Sequence, residues 1–391
     1  MKKTKVLFVY YKMMLGGSTT SLLSLLESID YSRYDVDLLL YKNEGPFMDY
    51  IPQNVNLLPQ AFIYTNKIKK ILKSILSGSL PKACLQSYKY TKQFKPAIQS
   101  SAYMQLSFCR KIDTEYDVAI GFMELWSDVF VNERIKAKKK ISWIHIDYEK
   151  AHMFPDIDRK MLAKSDAIVT VSEECRKNLC ALFPELKQRC YFIENILTKK
   201  YILNRIRHDV HVDRPTLSDD NFNLLSVCRL AIFHKGLDRG IQAVSRLVEE
   251  GYKIAWYIAG DGQDEKRIID LIHQYGLEKN VFLLGKLDCP YPLFSDFDLF
   301  FLPSRYEGKP MAVTEAMMLE LPPLVAEYAS AHEQIQHNKD GYITENSDEG
   351  IYNGLKYLIT NKDLISVYRN NLASNNYDNK EEIEKIYKLF D

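Results

Sequence analysis

The sequence has no hydrophobic run long enough to cross a bilayer. Its first apolar run, Val6 to Tyr11, has six residues and is closed by Lys12. A run of this length is also too short for the hydrophobic region of a secretory signal. We therefore interpret it as a buried first strand and expect a cytoplasmic protein.

Cysteine and net charge are also scarce. The 391 residues include seven cysteines, an odd number, and no CxxC pair. This argues against a disulfide framework and a zinc site, and it favours reduced packing cysteines. Because 52 Lys and Arg face 51 Asp and Glu, no global charge excess points to a nucleic-acid partner.

Acidic residues are missing from one long segment. Residues 50–112 contain no Asp or Glu but include ten Lys and Arg. Within this segment five apolar residues recur at helical spacing, Ile68, Ile71, Leu72, Ile75 and Leu76. The pattern predicts a basic amphipathic helix over residues 67–76, which suits either an anionic membrane surface or an ordinary domain face.

Short β-branched runs alternate with helical patterns over most of the chain. Several runs are apolar nearly end to end, as expected for parallel strands covered on both faces. The pattern predicts an α/β protein that binds its ligands at the carboxyl ends of the strands. The predicted strands are 5–10, 35–40, 118–122, 140–145, 167–171, 191–194, 221–227, 253–259, 281–284, 299–302, 323–326 and 341–344.

Two strand–helix series of similar size predict two Rossmann-like domains. We place them at residues 1–205 and 206–374, because residues 199–220 are polar and lack an apolar period. The tail, residues 375–391, has a helical pattern whose apolar stripe needs another surface to cover it.

Two carboxylates eight positions apart form the most informative pattern. Glu307 follows the predicted strand 299–302, and Glu315 falls in the next helix, whose start is favoured by Pro310. The free amides of the helix N-terminus would lie between them. The pattern fits a ligand with a phosphate centre and hydroxyls at both ends, such as a sugar, a diphosphate and ribose.

Two cations follow the predicted strand 221–227. Arg229 and Lys235 are six positions apart, and Gly236 opens the next helix. The two side chains could converge on a diphosphate and neutralise charge on a leaving nucleotide. Considered alone, this loop fits two surface cations beside a turn better than a binding site.

Two further candidates follow predicted strands of the first half. Gly16 and Gly17, after strand 5–10, would let the backbone approach an anion. They do not form GxGxxG and lack a Walker lysine, which argues against dinucleotide and ATP sites. His145 ends strand 140–145, where sites of parallel sheets form. A plain turn and a core histidine remain the alternatives.

Together these residues resemble the retaining glycosyltransferases of family 4. Arg229, Lys235 and the Glu307-x7-Glu315 pair carry the resemblance. Further similar segments are 227–230 (V-G-R-L in the family), 258–262 (I-x-G-x-G), 281–285 (V-x-F-x-G), 302–308 (L-P-S and E-G), and, for the bacterial polysaccharide branch, 143–145, 169–172 and 192–195. The resemblance implies the GT-B fold, in which two Rossmann-like domains face a cleft and the C-terminal helix, here 375–391, packs back on the N-terminal domain.

The resemblance also implies a role for each charged residue. Arg229 and Lys235 would bind the donor diphosphate, Glu315 the ribose hydroxyls and Glu307 the donor sugar. His145 would face the reacting sugar from the N-terminal domain.

Uncharged positions complete the implied site. The backbone near Lys309, Pro310 and Met311 would meet the donor sugar, and Gly16 or Gly17 the diphosphate and acceptor. Leu287 is a candidate for the base pocket. The sequence departs from the family pattern in four places. Cys228 replaces a glycine, and Lys309-Pro310 replaces Phe-Gly, which could alter sugar choice. Residues 320–324 replace G-x-P-V-V, and residues 330–333 replace G-G-x-x-E, which affects the fine contacts with the donor.

The implied activity is transfer of a sugar from a nucleoside-diphosphate sugar, with UDP expected, to a glycan or polyprenyl-diphosphate-linked acceptor. It would retain configuration, need no metal or other cofactor, and serve bacterial capsule, O-antigen or exopolysaccharide synthesis on the inner face of the plasma membrane. A sugar-nucleotide epimerase of the same fold and a non-catalytic partner subunit are the alternatives. The basic segment 50–112 argues against the first, and the intact charged positions argue against the second.

Overall fold

The chain folds into two compact units, and the computed structural model describes residues 2–63, 67–92, 98–208 and 214–391. The first unit comprises Met1–Ile196 and Glu381–Asp391, and the second comprises Leu197–Lys380. The units therefore change at 196/197 and 380/381, whereas the domain boundaries at 205/206 and 374/375 stay predictions.

The first unit is built on a seven-stranded parallel sheet in the order β3-β2-β1-β4-β5-β6-β7. Its strands are β1 Thr4–Tyr10, β2 Tyr34–Leu40, β3 Asn56–Leu57, β4 Glu115–Gly121, β5 Lys136–Ile144, β6 Ala167–Thr170 and β7 Cys190–Phe192. Its helices are α1 Gly17–Ser28, α2 Lys67–Leu76, α3 Ser79–Thr91, α4 Ile98–Gln105, α5 Trp126–Arg134, α6 Pro155–Leu162 and α7 Glu173–Leu182. Helix α2 has the bounds of the predicted basic helix.

The second unit is built on a six-stranded parallel sheet in the order β10-β9-β8-β11-β12-β13. Its strands are β8 Phe222–Val227, β9 Ile254–Ala259, β10 Val281–Gly285, β11 Leu299–Leu302, β12 Pro323–Ala326 and β13 Tyr342–Thr344. Its helices are α8 Lys199–His208, α9 Ile232–Lys235, α10 Leu237–Glu249, α11 Glu265–Gln274, α12 Met311–Met318, α13 Ala331–Gln334, α14 Asp348–Thr360 and α15 Asp363–Ser374.

Both sheets have Rossmann-like order, which confirms the prediction of two such domains. The central strands are apolar because helices cover both faces: Val6 to Val9 and Leu299 to Leu302 are at most 1% exposed. The helix α16, Ile383–Phe390, ends the chain on the first unit. There the ring of Tyr387 stacks on Tyr34 with centroids 4.8 Å apart, so the predicted apolar stripe is covered.

The sequence predicts that residues 199–208 belong to a polar linker. In the structure they form the helix α8 instead. Tyr201, Ile202 and Arg205 are buried at 1%, 0% and 3% exposure. Three buried positions on one face suffice to fix a helix by tertiary packing, even among charged neighbours. None of the described helices has the length and apolarity that crossing a bilayer requires.

Candidate functional site

The candidate site of the second unit lies where the strand order reverses, between β8 and β11. Loops that leave neighbouring strands in opposite directions open a crevice at the carboxyl edge of the sheet. Arg229 and Lys235 follow β8, and Glu307 follows β11. The loops touch at Gly236, with φ +62°, where a Cβ atom would lie 1.9 Å from the carbonyl oxygen of Pro303. Only glycine allows this approach.

Glu307 is the centre of the site and is 7% exposed. Its Oε1 atom accepts hydrogen bonds from Lys235 Nζ and from Ser304 Oγ, each at 2.6 Å. His234 Nε2 lies 3.8 Å from Oε2. Burial acts to raise the pKa of Glu307, but the charges of Lys235 and His234 and these hydrogen bonds outweigh it and hold the pKa below its ordinary value. Glu307 is therefore a buried, charged acceptor.

Arginine side chains brace the two loops from behind. Arg305 forms a fork with Asp238 at 2.7 and 2.8 Å. The buried Arg239 donates to the carbonyl oxygens of Pro303 and Ser304, both at 2.8 Å. Because bidentate, charge-assisted bonds fix geometry, Lys235 and Glu307 are preorganised by α10.

His234 was not singled out by the sequence analysis. Its ring stacks on Tyr306 with centroids 4.2 Å apart and an interplanar angle of 7°. Burial lowers the pKa of His234, although Glu307 opposes this. In the sequence, only its position next to Lys235 distinguishes His234. Folding is what brings it next to the carboxylate of Glu307.

Arg229 is exposed, and no side chain among the described residues pairs with its guanidinium. The loop around it is nevertheless fixed: Cys228 N donates to Ala259 O at 3.0 Å and Leu230 N to Asp261 O at 2.8 Å. Burial raises the pKa of the Cys228 thiol to about 11, so the residue that replaces the family glycine is neutral. Arg229 is thus a cation on a fixed loop, available to an anion.

Glu315 lies on α12, 6% exposed, and is not among the partners of Glu307. Its Oε1 atom accepts a hydrogen bond of 3.1 Å from the hydroxyl of the buried Tyr291. Burial raises the pKa of Glu315 to about 7, opposed by Tyr291 and by the charge of Arg205. The sequence analysis predicted neither Tyr291 nor Arg205.

The remaining predicted positions of this unit surround α12 and the end of β10. Pro310 caps α12, Met311 begins it, and Lys309 is half-buried just before it. Gln334 holds this helix start, donating to Pro310 O at 3.0 Å and to Thr314 Oγ1 at 2.6 Å.

Leu287 is half-buried two residues after β10. The next residue, Asp288, accepts a hydrogen bond from Arg205 through its carbonyl oxygen at 2.6 Å. The candidate base-pocket residue is therefore next in the chain to a residue that holds Arg205, whose charge acts on Glu315.

Gly16 and Gly17 lie in the first unit and form the N-terminus of α1. Gly16 is the N-cap, and its carbonyl oxygen accepts from Thr19 N at 3.0 Å and Thr20 N at 3.1 Å. Tyr10 bonds Ser18 through its hydroxyl at 2.7 Å. Both glycines are exposed, which leaves their backbone accessible.

His145 also lies in the first unit, directly after β5. Its backbone N–H donates to the carboxylate of Glu124 at 3.0 Å, and Phe122 packs on its ring with centroids 5.0 Å apart. Burial lowers the pKa of His145 to about 3. Its Nε2 atom is buried with no hydrogen-bond partner in the described part of the chain. The side chain is therefore a neutral imidazole.

The described residues contain no group of three or more His, Cys, Asp or Glu that could hold a metal ion. The structure brings Lys235, Ser304, His234 and Glu307 together, with Arg229 on the same β8 loop. Such a site offers cations to an anionic group and a buried carboxylate to hydroxyl groups.

Comparison with known proteins shows similarity to glycosyltransferases. Residues 211–378 match the family described as "Glycosyl transferases group 1". The poly(ribitol-phosphate) alpha-N-acetylglucosaminyltransferase of Staphylococcus aureus is 27% identical over 161 residues, which are 40% of this chain and 33% of that protein. The putative glycosyltransferase EpsF of Bacillus subtilis is 22% identical over 374 residues, 94% of this chain and 87% of that protein.

The solved structures show the fold. A crystal structure of S. aureus TarM, in complex with fondaparinux, alpha-GlcNAc-glycerol and UDP, superposes with a TM-score of 0.68 at 14% identity, covering 99% of this chain and 100% of that one. Residues 211–378 are thus similar to the group 1 glycosyltransferases, and the fold is GT-B, as the motifs predicted. Family 4, retention and the roles of the site residues stay predictions.

Proposed function

We propose that this protein is a group 1 glycosyltransferase, which transfers a hexose-type sugar from a nucleoside-diphosphate sugar to a glycan or lipid-linked acceptor during synthesis of a bacterial surface polysaccharide. The observation that carries the proposal is the contact of Lys235 with the buried Glu307 at the β8/β11 switch point. The family match and the names of the relatives support it. The chain spans a third of the first of these relatives, so the activity of the whole chain is part of the proposal.

The charged residues suit a diphosphate donor. Arg229 offers a guanidinium that is exposed and has no ion-pair partner among the described residues, and Lys235 offers an ammonium. Both would lie near the two phosphates. Glu315 would accept hydrogen bonds from the ribose hydroxyls and Glu307 from the sugar. UDP in the TarM complex makes UDP the first nucleotide to test.

Chemistry would follow from neutralising the leaving group. The bond from the anomeric carbon to the phosphate oxygen breaks, and the acceptor oxygen bonds that carbon on the same face. The acceptor proton passes to the departing phosphate oxygen, whose charge Arg229 and Lys235 stabilise. His145, with a pKa near 3, is a weak base and would act as a neutral hydrogen-bond partner of the sugar. We propose that these cations replace a metal.

The acid-free segment is proposed to bind an anionic membrane surface from the cytoplasmic side, where a lipid-linked acceptor would be held. Large apolar side chains are exposed on α2 and α3: Leu72 at 52%, Ile75 at 50%, Leu76 at 84% and Leu85 at 64%. Three exposed lysines accompany them, Lys73, Lys82 and Lys89. The side chains of residues 67–71 lie outside the described part. Apolar and basic groups on one hairpin are typical of interfacial binding.

Nucleotide binding and turnover test the proposal. UDP, GDP, ADP and their sugars are added to the protein, and the unfolding temperature is followed. A ligand at 100 times its Kd stabilises a protein by about 2.7 kcal/mol, so a specific nucleotide gives a clear shift. Sugar transfer is then measured as acceptor-dependent release of that nucleotide. Turnover of the donor without an acceptor into an isomeric sugar nucleotide would instead show an epimerase, and binding of none of the compounds would contradict the proposal.

A further inference from the structure

Two residues from different elements of the second unit act on Glu315. Tyr291 donates a hydrogen bond to it, and the charge of Arg205 acts on it. Tyr291 begins the 3₁₀ turn Tyr291–Asp296 and is 5% exposed. Its hydroxyl donates to Glu315 Oε1 at 3.1 Å. Arg205, on α8 and 3% exposed, donates to the carbonyl oxygen of Asp288 at 2.6 Å. The chain separation of 24 positions between Tyr291 and Glu315 shows that the contact is made by folding.

These two residues oppose the effect of burial on Glu315, Tyr291 by a hydrogen bond and Arg205 by its charge. Burial raises the pKa of Glu315 to about 7, whereas the Tyr291 hydroxyl and the Arg205 charge lower it. Tyr291 in turn lies near Tyr201 and Cys289, and burial raises its own pKa well above the ordinary value. Tyr291 is therefore a neutral donor near neutral pH, where the carboxyl group of Glu315 titrates.

A buried carboxylate needs such partners to stay charged. An ionised carboxylate accepts from several hydroxyls at once, whereas a protonated one carries an O–H donor and has less acceptor capacity. A hydrogen bond to the charged form favours that form. The Tyr291 hydroxyl also fixes one oxygen of Glu315, which leaves the other oxygen oriented for a ligand.

We infer that Tyr291 is a positioning residue for nucleotide binding, which holds Glu315 in the ionised form and in the orientation that accepts the ribose hydroxyls, with Arg205 as the neighbouring cation. This inference rests on the proposed function, because it assigns Glu315 to the ribose. Nothing in the sequence pattern of Glu307 and Glu315 points to Tyr291.

The test is Tyr291→Phe, which removes one oxygen and keeps the ring. The control is Tyr257→Phe, which removes another hydroxyl of the same unit, 3.5 Å from Thr216 O. The Glu315 carboxyl is titrated by ¹³C NMR in protein labelled at the glutamate side-chain carboxyl, with Glu315→Gln for assignment. The Kd of the bound nucleotide diphosphate, UDP first, is measured by calorimetry at pH 6.5 and pH 8.5.

We expect the Glu315 titration to move up by about one pH unit in Tyr291→Phe. One unit lowers the ionised fraction about eightfold at pH 6.5 and less than twofold at pH 8.5. The Kd should therefore rise about eightfold at the lower pH and recover at the higher one, while the control matches the wild type.

Two results would overturn the inference: an unchanged titration, or a Kd raised equally at both pH values, which indicates a structural role only. If no nucleotide binds the wild type but the titration moves, the proposed function fails and the coupling of Tyr291 to Glu315 stands. The two failures are thus separate.

Discussion

Lys235 Nζ lies 2.6 Å from Glu307 Oε1, although the two residues are 72 positions apart. The pair is one of the contacts that join the chain after β8 to the loop after β11. Each partner lowers the desolvation free energy of the other, because the two side chains are only 15% and 8% exposed. The hydrogen bond to Glu307 holds Lys235 in position before the donor binds. A donor phosphate would then compete with Glu307 for the ammonium.

Loss of either cation should slow transfer. Arg229→Ala and Lys235→Ala should each cost about 2–4 kcal/mol of transition-state stabilisation, measured from kcat/KM, because each removes a preorganised charge. Arg229 is exposed, so its variant should keep wild-type stability. Lys235→Ala should also lower the unfolding temperature, because it leaves the buried Glu307 without its cation.

The controls for these variants are surface cations of the same unit. Arg214→Ala and Lys253→Ala remove exposed partners of Asp296 and Asp220. Both should keep full activity. Near-normal turnover in Arg229→Ala and Lys235→Ala would show that these cations do not bind the diphosphate.

The two glutamates should separate nucleotide from sugar recognition. Glu315→Gln should weaken the binding of UDP and UDP-sugar alike, because both contain the ribose. Glu307→Gln should weaken only the sugar-bearing donor. Calorimetric titrations with both ligands check this, and the opposite pattern would mean that the two roles are reversed.

Activity should not depend on a divalent metal. Transfer is measured after dialysis against excess EDTA, with a metal-dependent glycosyltransferase treated in parallel to show that chelation is complete. We expect the rate to persist, because Arg229 and Lys235 neutralise the leaving diphosphate in our proposal. Loss of activity that Mg²⁺ or Mn²⁺ restores would require oxygen ligands that have not been identified.

Membrane binding should depend on the basic helix α2. Replacing Lys67, Lys69, Lys70 and Lys73 by Glu should abolish co-sedimentation with anionic vesicles and slow transfer to a lipid-linked acceptor. Each lysine near such a surface contributes about 1 kcal/mol, and salt should weaken binding by screening. Donor binding should be unchanged.

The matched control for this variant changes the same number of charges elsewhere. It replaces four exposed lysines of the second unit by Glu, Lys253, Lys266, Lys279 and Lys362. Equal sedimentation of the wild type and the α2 variant would refute the membrane proposal and favour a partner protein or an anionic acceptor glycan.

His145 should make the protein sensitive to acid. Its pKa is about 3 in the folded chain and about 6.5 when unfolded, so below pH 6.5 the unfolded state binds a proton that the folded state does not. The free energy of unfolding should therefore fall as the pH drops from about 6.5 towards 3, by about 2 kcal/mol between pH 7 and pH 5. Urea denaturation at pH 7 and pH 5 measures the free energy of unfolding. Its decrease between these pH values should be about 2 kcal/mol smaller in His145→Gln than in the wild type. The exposed His332→Gln is the control, and equal pH dependence in the wild type and His145→Gln would contradict the prediction.

The sequence predicts the strands well where apolar runs are continuous. Strands β11 and β12 have the predicted limits, because the runs 299–302 and 323–326 are buried on both faces. The strand β3, with two exposed residues, has no such run and is held by pairing with β2. The sequence does not predict β3, because its two residues have no apolar pattern and only the pairing with β2 makes them a strand.

The candidate site is predicted where chemistry and spacing coincide, as for Glu307 and Lys235. It is not predicted where partners come from distant elements. Tyr291 and Arg205 belong to a turn and to a helix that reads as a polar linker, and only the folded chain brings them to Glu315. Their residue types are common on surfaces, so no local pattern distinguishes them.

The packing of α16 on the first unit means that this unit is not contiguous in the chain. During synthesis, residues 1–196 leave the ribosome before Tyr387 and Phe390 have been translated. The packing of both rings on Tyr34 forms only afterwards. The first unit is therefore completed only after the whole of the second unit has been translated. A nascent chain interrupted anywhere before residue 381 lacks both rings that pack on Tyr34 in the folded protein, so this part of its core stays uncovered.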